Sequence, residues 1–383
     1  MHAFTFQTTR SVIAEVGATS KVGEIMGRRF CKKVAFITDK VILEYGLADA
    51  ALAGLKAEGI DVWIFDDVVA DPPETMILKA TEGARAAGVD GVVSVGGGSS
   101  LDTAKLIAML LNTDQPISEM YGVGLVTGDR LPLVLCPTTA GTGSEVTPIS
   151  IVTTGTNEKK GVVAPQLLPD WAILDAELTV GLPAAVTAAT GIDAMVHAIE
   201  AFTSKIKKNA VSDCLAKEAL RLLGGAIHTA CRTPDDRAAR SDMLLGSMLA
   251  GMAFANAPVA AVHALAYPLG GHFHVPHGLS NAMVLPYVME FNAPEAEGLY
   301  AEIAPIIFPD LKGDAAALTT AMIDKFKGLG GELGMQTRLT EIGVNHNHLP
   351  MLAEDAMKQT RLLVNNPREM TQEAAHMIYE KAL

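Results

Sequence analysis

Residues 191–200 read GIDAMVHAIE. Asp193 and His197 stand four apart in a stretch that is otherwise almost all apolar, and on a helix residues i and i+4 share a face. Burying a carboxylate without a partner is costly. A local Asp–His hydrogen bond would answer that cost; so would a divalent transition metal, for which carboxylate plus imidazole is half a site. Residues 263–278, HALAYPLGGHFHVPHG, carry four of the ten histidines: His263, His272, His274 and His277. His263 follows a run of small residues, AGMAFANAPVAAV, where helices can pack closely around an ion. His277 lies between Pro276 and Gly278, a turn suited to presenting one side chain. Asp193, His197, His263 and His277 make a one-carboxylate, three-imidazole set. That set suits Fe²⁺ or Zn²⁺ and not Ca²⁺ or Mg²⁺, which prefer oxygen ligands. Spacing does not assign His272 and His274, which can support the site, face a substrate or lie on the surface.

A second chemistry is suggested by VVSVGGGSSLDTAK (92–105), which reads as strand, glycine turn, helix start. Glycines allow close backbone approach and positive φ. The following helix points free N–H groups and the positive end of its dipole at the turn, which favours a phosphate. Asp102 and Thr103 fall in the first helical turn, where they can cap. The stretch matches neither GxGxxG nor GxxxxGK[ST], so an ordinary βα turn explains it equally well when taken alone. Asp39, at the end of an earlier strand, can accept from a ribose 2′-OH and repel a 2′-phosphate; it can equally be a helix N-cap. PTTAGTGSEVT (137–147) again follows an apolar strand and offers the hydroxyls of Thr138, Thr139, Thr142 and Ser144. Two such clusters at strand C-terminal ends suit a dinucleotide crevice.

The elements that must hold these residues change in character along the chain. Strands are predicted at 32–39, 61–68, 90–100 and 131–139, with helices at 47–59, 74–88 and 101–112. That alternation implies βαβ units and a parallel sheet. Residues 148–175 read as irregular β structure. From about 182 onward the chain reads as helices, giving an α/β domain over 1–182 and an all-helical, metal-binding domain over 183–383. NHNHLPML (345–352) reads as a turn entering a helix, with its histidines at the surface. The 383 residues are 49% hydrophobic, enough for more than one core. A net charge of −13 argues against nucleic-acid binding. Cys31, Cys136, Cys214 and Cys231 form no CxxC pair and are expected as reduced, mostly buried thiols. Neither a signal peptide nor a long apolar membrane span is evident. The expectation is a cytoplasmic protein without membrane partners.

The motifs ITDK, GGGSSLDTAK, PTTAGTGSEVT, GIDAMVHAIE, HALAYPLGG, VPHG and NNPREMT occur in an order and spacing that resembles the iron-containing (group III) alcohol dehydrogenase family. The resemblance covers essentially the whole chain. It implies a Rossmann-like N-terminal domain, an all-helical C-terminal domain and a cleft between them, the dehydroquinate synthase-like arrangement. It implies Fe²⁺, or Zn²⁺, on Asp193, His197, His263 and His277. It places the pyrophosphate of NAD on Gly96, Gly97, Gly98, Ser99 and Ser100, with Thr138, Thr139 and Thr142 towards the adenine and nicotinamide. Asp39 matches the acidic residue that favours NAD over NADP. Asp71, Lys160 and Leu178 fall at further cofactor positions. His263, His277 and Tyr267 are the expected catalytic group, with a proton relay through ribose hydroxyls, water and His277 or Tyr267. A homodimer or higher oligomer is implied.

The expected activity is hydride transfer between a small primary alcohol, or its aldehyde, and NAD; a hydroxy acid or diol is the alternative substrate. Many members carry a histidine where this chain has Tyr267, and a phenol of ordinary pKa about 10 is a poor base at neutral pH. Ile149 stands where relatives resembling lactaldehyde reductase place an asparagine, which leans away from a diol. Glycerol dehydrogenase-like enzymes show a different ligand pattern, and maleylacetate reductase-like enzymes hold no tight metal. A dehydroquinate synthase-type lyase needs a basic phosphate site, which the apolar lining does not suggest. A non-catalytic regulatory protein would bind NAD without turnover.

Overall fold

The protein was analysed as a computed structural model, which describes residues 3–155 and 158–383. The chain divides into two units between Val180 and Gly181. The described residues up to Phe6 group with the second unit instead of the first, unlike the expected 1–182 span. They precede the first strand and add nothing to the sheet.

In the first unit, strands β1 (Ser11–Ala14), β2 (Lys33–Ile37), β3 (Asp61–Phe65), β4 (Gly91–Gly96), β6 (Leu133–Pro137) and β9 (Trp171–Leu174) form one sheet in the order β1-β9-β6-β4-β2-β3. Every pair in it is parallel. Its connections carry helices α1 (Val22–Arg28), α2 (Lys40–Glu44), α3 (Asp49–Ala57), α4 (Glu74–Ala87) and α5 (Gly98–Leu110). A small second sheet joins β5 (Gly122–Val123), β8 (Glu158–Val163) and β7 (Ile149–Thr154), with β7 and β8 antiparallel.

Strand periodicity builds the two cores of this unit. Along β2, Ala35 and Ile37 face the side packed by Ile77 and Ala84 of α4 and Leu101 of α5. Val34 and Phe36 face the side packed by Met26 of α1 and Leu55 of α3. Both faces of the sheet are therefore covered, as a parallel sheet requires.

The second unit contains helices α6 (Ala184–Thr203), α7 (Ala210–Arg232), α8 (Arg237–Asn256), α9 (Ala261–Phe273), α10 (His277–Ile307), α11 (Ala315–Glu332), α12 (Leu349–Met357), α13 (Thr360–Leu363) and α14 (Gln372–Ala382). Small residues on α6 let its neighbours approach closely. A Cβ on Gly191 would lie 2.5 Å from Met243 Cε of α8. Among the described residues no single helix is long and apolar enough to cross a membrane. All four cysteines are free, and Cys214 is exposed, so the thiols are less uniformly buried than expected.

Candidate metal centre and cofactor turn

Three helices of the second unit bring the candidate donors together. Asp193 and His197 project from one face of α6, His263 stands near the start of α9, and His277 is the first residue of α10. One donor atom from each lies within 4.8 Å of the other three. His277 Nε2 is 3.8 Å and His263 Nε2 4.0 Å from Asp193 Oδ1. A tetrahedral first-row ion at about 2.0–2.1 Å from each donor sets donors about 3.4 Å apart, so these pairs need to close by about half an ångström to hold one. Asp193, His197 and His263 are buried, whereas the His277 side chain is 36% exposed.

Local packing explains why the sequence achieves this. Pro276 caps α10 and starts it at His277. A Cβ on Gly278 would lie 2.4 Å from the Ala189 carbonyl oxygen, so only glycine lets the start of α10 press against α6 beside Asp193. The His197 ring stacks between Phe254, at 4.3 Å, and His263, at 4.7 Å between centroids.

Two buried polar side chains join this cluster that sequence reasoning missed. Glu200 Oε2 accepts from His263 Nδ1 at 2.7 Å. Asn281 Nδ2 donates to Asp193 Oδ1 at 2.5 Å and lies 3.2 Å from His277 Nε2, while its Oδ1 is buried with no partner. Their spacing is consistent with the cluster, Glu200 seven residues after Asp193 and Asn281 four after His277, but burial is what marks them out. A buried carboxylate facing three imidazoles is chemistry that a divalent first-row cation completes. The donor set therefore fits iron or zinc.

The other histidines of the cluster do not join it. His272 is exposed and its Nε2 meets Asp355 Oδ2 at 2.5 Å. His274 adopts φ 54° and terminates α9. The Tyr267 ring lies 5.8 Å from that of His277. His346 and His348 form a short turn at the entry to α12, with His346 exposed.

In the first unit the two glycine- and threonine-rich turns follow neighbouring strands, β4 and β6. Thr138 N–H donates to the Gly96 carbonyl at 3.0 Å. None of Gly96, Gly97 and Gly98 has positive φ, which corrects one expectation. The need is for space: a Cβ on Gly98 would lie 2.7 Å from Thr142 Cγ2, and one on Gly96 2.5 Å from Ser100 Cβ. The helix also begins three residues earlier than expected, so Gly98, Ser99 and Ser100 form the first turn of α5. No side chain caps that end. Its free N–H groups suit an anion.

Asp102 is not a cap, a second correction. Its carboxylate accepts from Ser144 Oγ at 2.5 Å and Ile151 N–H at 2.9 Å, and meets Lys105 Nζ at 3.3 Å. Thr103 is wholly buried and does not cap either. Lys105, also wholly buried, donates to Thr147 Oγ1 and to the Ile149 carbonyl at 3.2 and 2.7 Å. Burial pushes the Lys105 ammonium pKa down, and pushes the Glu145 carboxyl up to about 7.

Gly97, Gly98, Ser99 and Ser100 line a cavity of about 460 Å³ together with Asp39, Asp66 and Asp67. Asp39 is also the N-cap of α2, with Oδ1 accepting from Ile42 N–H at 3.2 Å. The two sequence readings of this residue are compatible, because the cap uses one carboxylate oxygen. Asp71 adopts φ 53° and pairs with Lys159 at 2.7 Å. Lys160 pairs with Glu158 and lies over the Tyr121 ring. Leu178 is buried in the core with Val93 and Ile173, which gives its side chain a packing role.

Comparison with known proteins now decides the family. The family model described as "Iron-containing alcohol dehydrogenase" matches residues 9–176, and "Fe-containing alcohol dehydrogenase family, C-terminal" matches residues 187–383. The chain belongs to the iron-containing alcohol dehydrogenase family. A member of this family is an oxidoreductase of alcohols and aldehydes, and the fold here is the family's: a Rossmann-like parallel-sheet unit and a helical one. The chain is 40% identical to Long-chain-alcohol dehydrogenase 1 of Geobacillus thermodenitrificans, over 96% of this chain and 93% of that protein. A crystal structure of a 1,3-propanediol oxidoreductase aligns with TM-score 0.96 at 34% identity, covering 100% of both chains. The sulfoacetaldehyde reductase of Bifidobacterium kashiwanohense, crystallised in complex with NAD+, aligns with TM-score 0.89 at 28% identity over 100% of this chain and 99% of its own.

Proposed function

We propose that this iron-containing alcohol dehydrogenase interconverts a small primary alcohol and its aldehyde with NAD as the redox partner. Asp193, His197, His263 and His277 hold Fe²⁺ or Zn²⁺. When bound, the ion supplies a Lewis acid for the alcohol or carbonyl oxygen, and NAD supplies the hydride acceptor or donor. The uncapped start of α5, at Gly97, Gly98, Ser99 and Ser100, receives the pyrophosphate, with Gly96, Thr138, Thr139 and Thr142 shaping the turn around it. Asp39 receives the adenosine ribose and rejects a 2′-phosphate. Asp71, Lys160 and the backbone around Leu178 are further cofactor contacts. A relay of ribose hydroxyls, water and His277 or Tyr267, whose rings lie 5.8 Å apart, passes the proton to solvent. The protein works in the cytoplasm as a homodimer or higher oligomer. The convergence of four donor atoms within 4.8 Å carries this reading.

A diol is the second substrate reading, favoured by the likeness to 1,3-propanediol oxidoreductase. Ile149 weighs against it, since it adds no polar group. The test is NAD reduction by chelator-stripped protein, with Fe²⁺ (anaerobically) or Zn²⁺ restored, over primary alcohols, diols and 2-hydroxy acids. Activity should return with Fe²⁺ on a primary alcohol. Silence with both metals and every alcohol would overturn the proposal.

A further inference from the structure

The donor set leaves one buried carboxylate beside it without a task. Glu200 lies on α6, three residues after His197 and seven after Asp193, so it shares their face. It is 3% exposed. Its Oε2 accepts from His263 Nδ1 at 2.7 Å and from Ala260 N–H at 2.9 Å, and its Oε1 accepts from Val262 N–H at 2.6 Å. Both oxygens are thus occupied at the start of α9, where the helix dipole favours a negative group.

The consequence falls on His263. With a carboxylate oxygen as its acceptor, Nδ1 carries the imidazole proton and Nε2 keeps its lone pair. Nε2 is the atom that lies 4.0 Å from Asp193 Oδ1. We propose that Glu200 is a positioning residue that fixes the tautomer and ring orientation of His263 and so commits Nε2 to the metal. This rests on reading the four donors as a metal centre. Outer carboxylates of this kind orient metal-ligating histidines and raise their basicity.

Glutamine at this position separates that role from mere support of α9. Glu200→Gln keeps the volume but has one acceptor oxygen where three N–H groups converge. Turned one way, its amide faces the Val262 N–H. Turned the other, its N–H₂ faces Nδ1 and favours the tautomer with hydrogen on Nε2, which cannot bind a metal. Glu200→Asp keeps a carboxylate on a shorter stem.

The experiment titrates metal-free protein with Co²⁺ against a chromophoric chelator and records the visible bands of bound Co²⁺. Circular dichroism and denaturant unfolding report whether each variant keeps its helical unit folded, and NAD affinity reads the other unit. Glu200→Gln should weaken Co²⁺ binding by about 10–100-fold and alter the bands, with NAD affinity unchanged. Glu200→Asp should recover part of the loss. Wild-type Co²⁺ affinity and bands in Glu200→Gln would overturn the proposal, as would a Glu200→Asp no better than Glu200→Gln. Wild-type protein that binds no Co²⁺ would remove the metal centre itself, a distinct failure that takes this proposal with it. Should Glu200→Gln not fold, nitrogen shifts of ¹⁵N-histidine-labelled, metal-free wild type decide, with His263 assigned by comparison with His263→Gln. Hydrogen on Nδ1 supports the proposal and hydrogen on Nε2 overturns it.

Discussion

The donor cluster and the glycine turn are built by opposite means. The cluster is made of side chains: four donors from three helices, three of them buried, gathered against α6 where Gly278 removes a Cβ. The turn is made by leaving side chains out. Gly96 and Gly98 supply space and α5 supplies unpaired N–H groups, while Asp102 nearby is taken up by Ser144 and Lys105. Chemistry carried by side chains is written in residue type and spacing. Chemistry carried by backbone is written mainly in what is absent, and it becomes legible only once the neighbouring turn is placed.

That contrast can be broken from either side. The largest effect is expected at Asp193. Asp193→Ala should lower metal affinity and metal-dependent turnover by more than about 100-fold, beyond the loss typical of an outer partner, while leaving NAD affinity intact. Chelator competition and NAD titration on the same sample check both halves. A parallel loss of NAD affinity would show that the two regions are not independent.

Next comes Gly98→Ala, whose added methyl meets Thr142 at 2.7 Å. Overpacking of this kind costs about 1–3 kcal/mol. Denaturant unfolding should show that loss and NAD should bind more weakly, with metal affinity unchanged. Stability and NAD affinity equal to wild type would mean that the turn tolerates a side chain and that its glycines are incidental.

The smallest effect sharpens the comparison at a residue that works in both ways. Asp39 caps α2 with one oxygen and lines the cavity beside the glycine turn. Asp39→Ala should cost about 1 kcal/mol of stability through the lost cap. Asp39→Ser keeps a capping oxygen and should be nearly as stable as wild type. Both should raise the preference for NADP over NAD by about fivefold, in line with ~1 kcal/mol for one like charge at contact distance in water. Equal discrimination in wild type and Asp39→Ser would leave Asp39 with the cap alone.

Much of the fold was legible because its strands are short apolar runs punctuated by glycine and charge. The strands expected at 32–39, 61–68, 90–100 and 131–139 lie at Lys33–Ile37, Asp61–Phe65, Gly91–Gly96 and Leu133–Pro137. The edge strand Ser11–Ala14 was missed because its apolar run, Val12 to Ala14, is only three residues long. The start of α5 was misplaced because glycine and serine read as turn, although here they form helix whose packing forbids a larger residue. In the donor cluster, Asp193, His197, His263 and His277 stood out by type. Glu200 and Asn281 did not, since a lone Glu or Asn on a helix ordinarily points to water, and only burial shows that these two do not.

Lys105 gives the first unit a further property. Its ammonium is sealed between Asp102 on α5, the Thr147 hydroxyl and the Ile149 carbonyl, while Asp102 is held by Ser144 and Ile151. The glycine turn and the threonine turn are therefore halves of one exchangeable module. A protein engineer who grafts only one of them from a relative strands a buried charge, so moving this phosphate-facing module between relatives means transplanting residues 96–105 and 138–151 together.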